Sequence, residues 1–426
     1  MKVNQWTLAL AAGGVIGLVP AARAEEKPMS QVLTAVSSTT LSGYVSTSII
    51  WEPGTSNAGI PGRAFDAPAS KHDGFNLDVV SLMLAKPLSD DSWAAGYTAQ
   101  LWFGPDAVGF NTAAPSLAGA GGDLTVKQAY VELRAPIGNG IDFKLGHFNY
   151  IGGYEVPDSG DDLNYSRSYA WTLEPASHTG LLASYKVCDA LSLAVGVANS
   201  YNNGINWRAA RVDASGTTVT AADESEKTYM GQIALTAPES FGFLKGATLS
   251  ATAVNGLNNP SGSGGSALSA GRFGCYQIGG TMPTPVQGLS VGASYDYMNG
   301  PPLANRPHPT PANPNPPLPA PNAAGYANAA TLYTSYQATE KLKLNGRAEY
   351  TTATAGFWYD HGTSGNEKLL GLTGTLDYTL WANVVSRLEA RWDHSLTGDR
   401  PFGGTAAAPG GQKNVVTLAL NLIYKF

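Results

Sequence analysis

The sequence has little charge. Asp, Glu, Lys and Arg make up 14% of its 426 residues, where a typical soluble domain carries about 25%. It has no apolar run of the ~20 residues that a spanning helix needs, which excludes a bundle of membrane helices. Two cysteines, Cys188 and Cys275, are too few for a disulfide scaffold. None of the six histidines falls in an H-E-x-x-H motif, and there is no G-x-S-x-G elbow or Walker loop. No metal, cofactor or motif-borne catalysis is therefore expected. A basic stripe is also missing, so a nucleic-acid partner is not expected either.

What is present is glycine, 50 residues, and tyrosine, 20 residues. Few charges with much glycine and aromatic character suit a barrel that has one face in lipid and one in water. At the N-terminus, Lys2 precedes an apolar run from Trp6 to Val19. Pro20 breaks it, and Ala22-Arg23-Ala24 offers a small-residue cleavage site. Residues 1–24 read as a secretory signal peptide. Its removal takes the net charge from −6 to −8, since Lys2 and Arg23 leave and no acid does. Residues 25–40 read as a short periplasmic lead-in. No long soluble segment precedes the first strand, so no plug domain is expected.

Period-two alternation recurs through 41–426 and places successive side chains on opposite faces of a strand. In the last segment Val416, Leu418, Leu420, Leu422, Tyr424 and Phe426 share one face. Thr417, Ala419, Asn421 and Lys425 share the other, with Ile423 the exception. Arg387, Glu389, Arg391 and Asp393 oppose Leu388, Ala390 and Trp392. Lys341, Lys343, Asn345, Arg347 and Glu349 oppose Leu342, Leu344, Gly346, Ala348 and Tyr350. Ser290, Ser294 and Asp296 oppose Leu289, Val291, Ala293, Tyr295 and Tyr297. Charge on one face only fits a polar lumen and a lipid wall.

About sixteen such segments are predicted. They start near Leu41, Asn76, Trp93, Leu124, Ile141, His178, Leu191, Thr228, Gly246, Arg272, Gly288, Asn328, Glu340, Glu367, Ala382 and Asn414. Long connections such as 52–75, 104–123, 149–177, 200–227 and 299–327 alternate with short ones such as 86–92, 136–140, 188–190, 338–339 and 380–381. Long outer loops and short periplasmic turns are the rule for outer-membrane barrels. The fold expected is a closed, antiparallel, up-and-down all-β barrel. Tyr378, Trp381, Tyr424 and Phe426 would form the periplasmic aromatic girdle, and Trp51, Tyr297 and Trp392 the outer one. Cys188 and Cys275 would sit at opposite ends, too far apart for a disulfide, which needs Cα atoms within about 7 Å. The Pro-rich stretch between Gly300 and Asn322 reads as an extended outer loop.

One series of motifs is more specific. Val126-Lys127-Gln128-Ala129-Tyr130-Val131-Glu132-Leu133 leads into Lys144-Leu145-Gly146-His147-Phe148. Gly153-Tyr154-Glu155-Val156 and Asn164-Tyr165-Ser166-Arg167-Ser168-Tyr169 follow. The series closes with His178-Thr179-Gly180-Leu181 and Tyr185-Lys186. It resembles the OmpL-like outer-membrane β-barrel porin family, as does the opening strand Leu41-Ser42-Gly43-Tyr44-Val45. The resemblance implies a cell outer-membrane location and a water-filled channel for small hydrophilic solutes and ions. It brings no assigned ligand or catalytic residues.

The segment 149–177 is the strongest functional candidate. Glu155, Asp158, Asp161, Asp162, Arg167 and Glu174 lie in it among Tyr and Gly. Folded inward against Arg347, Glu349, Arg387, Glu389, Arg391 and Asp393, these groups would narrow and charge the pore. The mixture of signs forms no ring of one charge, and the negative balance points to a weak cation preference. Expected partners are outer-membrane lipid, permeating solutes, and the barrel-assembly machinery through the strand ending in Phe426. Porins of this size are often trimers, which is analogy of fold. Two other readings share these features. One is a plugged barrel acting as adhesin or envelope anchor. The other is a barrel-borne hydrolase built around His178 or His394 from separate strands.

Overall fold

The computed structural model describes residues 32–33, 39–55, 58–108, 124–201, 204–212, 219–221, 225–258, 271–300, 325–359, 366–405 and 408–426. The expected signal peptide, most of the lead-in and the Pro-rich tract at 301–322 lie outside these residues.

Sixteen strands form the wall. They are β1 Thr40–Trp51, β2 Gly74–Lys86, β3 Ala95–Phe103, β4 Leu124–Ala135, β5 Ile141–Asn149 and β6 Ser177–Cys188. Next come β7 Leu191–Ala198, β8 Thr228–Thr236, β9 Thr248–Asn258, β10 Gly271–Pro283 and β11 Leu289–Gly300. The last five are β12 Gly325–Gln337, β13 Leu342–Thr354, β14 Asn366–Trp381, β15 Val384–Ser395 and β16 Asn414–Lys425. Each pairs antiparallel with the next, and β1 also pairs with β16. The sheet is therefore closed, which removes the edge that an open sheet would offer to other chains. Every predicted strand start falls within three residues of the observed one.

Alternation has the expected meaning. Along β16, Thr417, Ala419 and Asn421 are buried, while Leu420, Leu422 and Tyr424 are exposed. Along β15, Arg387, Glu389, Arg391 and Asp393 are buried, and Leu388 between them is 56% exposed. A leucine that bare on a closed barrel belongs to a lipid-facing surface. Ile423 breaks the pattern because it points inward into an apolar cluster with Tyr44, Val79, Trp102 and Ala107.

Connections at one end are short, with two residues at 189–190 and 382–383. Asn383 adopts φ 65° in the second of these, a conformation that asparagine tolerates better than most residues. The sequence reading placed Cys188, Leu380 and Trp381 in turns; they instead end β6 and β14. The connection at 237–247 is the longest at this end and holds a 3-10 turn, Glu239–Leu244. Trp381 and Tyr424 are exposed here, and Trp51 is exposed at the opposite end. The seam is completed by Phe426, whose backbone exchanges hydrogen bonds of 2.9 and 3.0 Å with Gly43. Cys188 is exposed at the short-turn end and Cys275 is buried toward the other, and both are free thiols.

Candidate functional site

The connection after β5, residues 150–176, turns into the barrel. It carries a short helix, α1 Tyr169–Leu173, capped by the Ser168 hydroxyl, which accepts from Trp171 N. Inward side chains of β13 and β15 grip its backbone. The Glu389 carboxylate accepts from Tyr165 N at 2.6 Å and from Ser166 N at 3.0 Å. Glu349 accepts from Tyr169 N at 2.7 Å. The arginines take the carbonyls: Arg347 donates to Ser166 O at 2.6 Å and Arg391 to Arg167 O at 2.6 Å. Arg387 donates to Asp162 O at 2.7 Å and also to Ser159 O. A loop buried away from water must satisfy its peptide groups, and charged side chains make the stronger bonds.

The predicted loop residues are not equivalent. Glu155 pairs with Arg347 at 3.0 Å and caps Ser168 N at 2.8 Å. Asp158 accepts from Gln100 of β3 at 2.8 Å. Asp162 accepts from Val156 N at 2.9 Å within the loop and forms an ion pair with Arg167, whose Nε lies 3.0 Å away. Burial raises the Asp162 carboxyl above the usual range even though Arg167 opposes it. Asp161 is half-exposed and meets Lys425 at 3.1 Å. Arg167 does not face the wall acids. It donates to Pro157 O at 2.7 Å and lies over the rings of Phe65 and Trp171. On the wall, Arg391 and Asp393 pair at 2.9 Å, Arg347 and Glu349 at 2.5 Å, and Arg387 and Asp377 at 3.3 Å.

The far side of the loop is also anchored. Tyr154 stacks on Tyr333 with centroids 3.9 Å apart, and its hydroxyl lies 2.8 Å from Thr281 of β10. Gly292 of β11 makes room for it, since a Cβ there would stand 2.0 Å from the Tyr154 hydroxyl. Ile151 O accepts from Gln232 of β8 at 2.6 Å. The segment thus spans the lumen from β8–β12 to β13–β16 and reaches β3.

Sequence reasoning placed a long connection at 52–75 but missed its part in the lumen. Its Arg63 donates to Asp393 and Thr417 at 3.1 Å each and also pairs with Asp66. Lys71 bridges Asp78 of β2 and Asp106 at 2.9 and 2.5 Å. His72 Nε2 lies 3.2 Å from Glu52. The signal was Arg63, Asp66, Lys71 and Asp73 gathered in a chain otherwise poor in charge. Also missed was an apolar cluster between the loops and the outer strand ends. It joins Ile60, Ile151, Tyr169, Leu173, Tyr201 and Trp358 to inward Met230, Val254, Phe273, Met298 and Leu369. Near the loops, then, the inward face turns apolar. His178 is buried between the rings of Phe148 and Tyr150, and His394 stacks on Trp392 and meets Asn414 at 2.7 Å.

A closed sixteen-stranded barrel with a lipid-facing outer surface and an inward-folded third loop defines a porin of the outer membrane. Residues 38–426 match the model of a family described as "Putative beta-barrel porin-2, OmpL-like". The chain belongs to that porin family. No curated protein matches the sequence. Among solved structures it is similar to the anion-selective porin from Comamonas acidovorans, at 11% identity and TM-score 0.55, over 91% of this chain and 99% of that one. It is similar to the outer membrane channel DcaP of Acinetobacter baumannii, at 13% identity and TM-score 0.54, over 91% and 97%. It is also similar to the trimer form of OmpT, an outer membrane protein of Vibrio cholerae, at 12% identity and TM-score 0.50, over 91% and 99%. Likeness at these identities is likeness of fold.

Proposed function

We propose that this porin carries small hydrophilic solutes and ions by passive diffusion, with residues 150–176 as its constriction. The observation that carries this reading is the grip of Glu389, Glu349 and the three wall arginines on the loop backbone. Arg347, Arg387 and Arg391 spend their charge on loop carbonyls and neighbouring acids, so they form no free cationic ladder. Weak selectivity follows, because strong selectivity requires a ring of one sign facing the path. Deleting Asp158–Asp162 tests the role of the loop. Larger single-channel conductance supports it, and an unchanged pore removes the loop from the conduction path.

Two partner assignments belong to the same reading. The trimer form of the Vibrio cholerae protein supports a homo-oligomer, and the alternating strand β16 with its exposed Leu420, Leu422 and Tyr424 suits insertion by the barrel-assembly machinery. The apolar cluster beneath the loops favours a second reading, a plugged barrel that anchors the envelope. Conductance separates the two.

A further inference from the structure

Where the constriction loop leaves the lumen it brings a second carboxyl group against the wall. Glu174 follows α1, its backbone N–H bonded to Trp171 O at 3.2 Å. Its side chain reaches Asp296 of β11, close enough for the two carboxyl groups to share a proton. Gly153 makes this approach feasible: it sits at φ 92°, and a Cβ there would stand 2.6 Å from Glu174 Oε2. Asp296 is fully buried, and neither of its oxygens has a donor in hydrogen-bonding geometry.

The wall beside Asp296 has the same unmet need. Gln277 of β10 lies directly across from it in register, and Ser294 is two residues along the same inward face. Both are nearly fully buried. Neither amide atom of Gln277 has a partner, and the Ser294 hydroxyl lies close to the Asp296 carboxyl without hydrogen-bonding geometry. Buried polar atoms are almost always bonded, so several adjacent orphans mark a place shaped for something else. Electrostatics says what sign it has. The ionisable groups that act most strongly on Glu174 are Asp296, Glu155 and Asp162, all acids. Arg347, which pairs with Glu155, is also held by Glu349. Two carboxyl groups in contact either keep a proton between them or take a compensating positive charge.

We propose that Asp296, Glu174, the Gln277 carbonyl and the Ser294 hydroxyl form a binding site for a hard cation of the calcium class. All four supply oxygen, the donor that such ions take in flexible arrangements of six to eight ligands. The remaining positions would be filled by water. A bound cation would pin the exit of the constriction loop to β11, on the side away from the β13–β15 grip.

The test uses the full chain refolded in detergent, with Tb3+ as the probe and Ca2+ as competitor. Tyr150 and Tyr201 both lie against Cys275 beside the pair and would sensitise Tb3+ emission. The expected result is sensitised emission that Ca2+ displaces. Asp296→Asn and Glu174→Gln, each checked for folding by heat-modifiable gel mobility, should weaken binding by about tenfold or more, since ligand charge sets affinity at such sites. Wild-type protein that gives no displaceable emission overturns the site, whether or not the variants fold. Full binding retained in both variants also overturns it. Absent Tb3+ binding with a more stable Glu174→Gln would instead identify a carboxyl pair sharing one proton.

Discussion

Glu389 holds two consecutive peptide groups of the constriction loop, Tyr165 N–H and Ser166 N–H, with its two carboxylate oxygens. The distances are 2.6 and 3.0 Å. The side chain also accepts from Thr375 on the neighbouring strand at 2.7 Å. One wall residue thus holds two adjacent peptide groups of the stretch whose carbonyls Arg347 and Arg391 also take, and its removal tests how much of the grip it carries.

Glu389→Ala leaves two buried N–H groups without an acceptor. Each such loss costs about 1–3 kcal/mol, all of it borne by the loop, because the barrel ladder is untouched. Folded barrel should still form on a heat-modifiable gel. Single-channel traces should show larger or noisier openings than wild type. Quiet traces of wild-type size would mean that the loop is held elsewhere.

A second anchor lies across the lumen. Tyr154→Phe removes the bond to Thr281 but keeps the stack on Tyr333, a loss of about 1 kcal/mol. Gly292→Val drives a side chain into the Tyr154 hydroxyl and must displace the ring. The unfolding midpoint should fall further for Gly292→Val than for Tyr154→Phe. Equal midpoints would argue against packing at this point.

The pair Glu52 and His72 makes a pH prediction. Burial raises Glu52 to about 7 and lowers His72 to about 4. A raised carboxyl contributes stability that is full below its unfolded value of 4.5 and is lost as pH rises through about 7. A lowered imidazole contributes stability that is full above its unfolded value of 6.5 and is lost as pH falls through about 4. The two trends oppose each other, so this pair adds little net pH dependence between these limits. His72→Gln should become less stable as pH rises through 7. Glu52→Gln should become less stable as pH falls from 6.5. Thermal midpoints against pH read both, and flat profiles in both variants would contradict the assignment.

The two thiols should differ in reactivity. Cys188 is exposed at the end of β6 and should take up one equivalent of a maleimide in folded protein. Cys275 is buried beside Tyr150, 3.7 Å from its hydroxyl, and should react only after unfolding. Two equivalents taken up by the folded protein would place Cys275 outside the packed lumen.

Much of this architecture was legible in the sequence because a strand in a closed barrel has two unlike solvents. Lipid and lumen impose opposite preferences on alternate residues, so Leu388 and Arg387 reveal their faces from type alone. The strand starts followed from the same rule. The inward wall charges on β13 and β15 were legible for that reason too. What they bind was not, since the partners are backbone groups of a loop and a peptide group has no sequence signature. The inward Met230, Val254 and Phe273 were hidden in a different way. They sit where outer loops fold back into the barrel, so the lumen there is a packed core with apolar residues on both faces, and alternation fades. Arg63 was passed over because nothing in its own loop points to Asp393, which lies 330 residues away.

Single-channel conductance of the folded full-length protein in a planar bilayer tests the central claim most directly. A porin with the third loop as its constriction should give stable, stepwise openings with a small reversal potential in a salt gradient. A folded, heat-resistant barrel that never conducts would contradict the account and assign the loop-filled lumen to a plug.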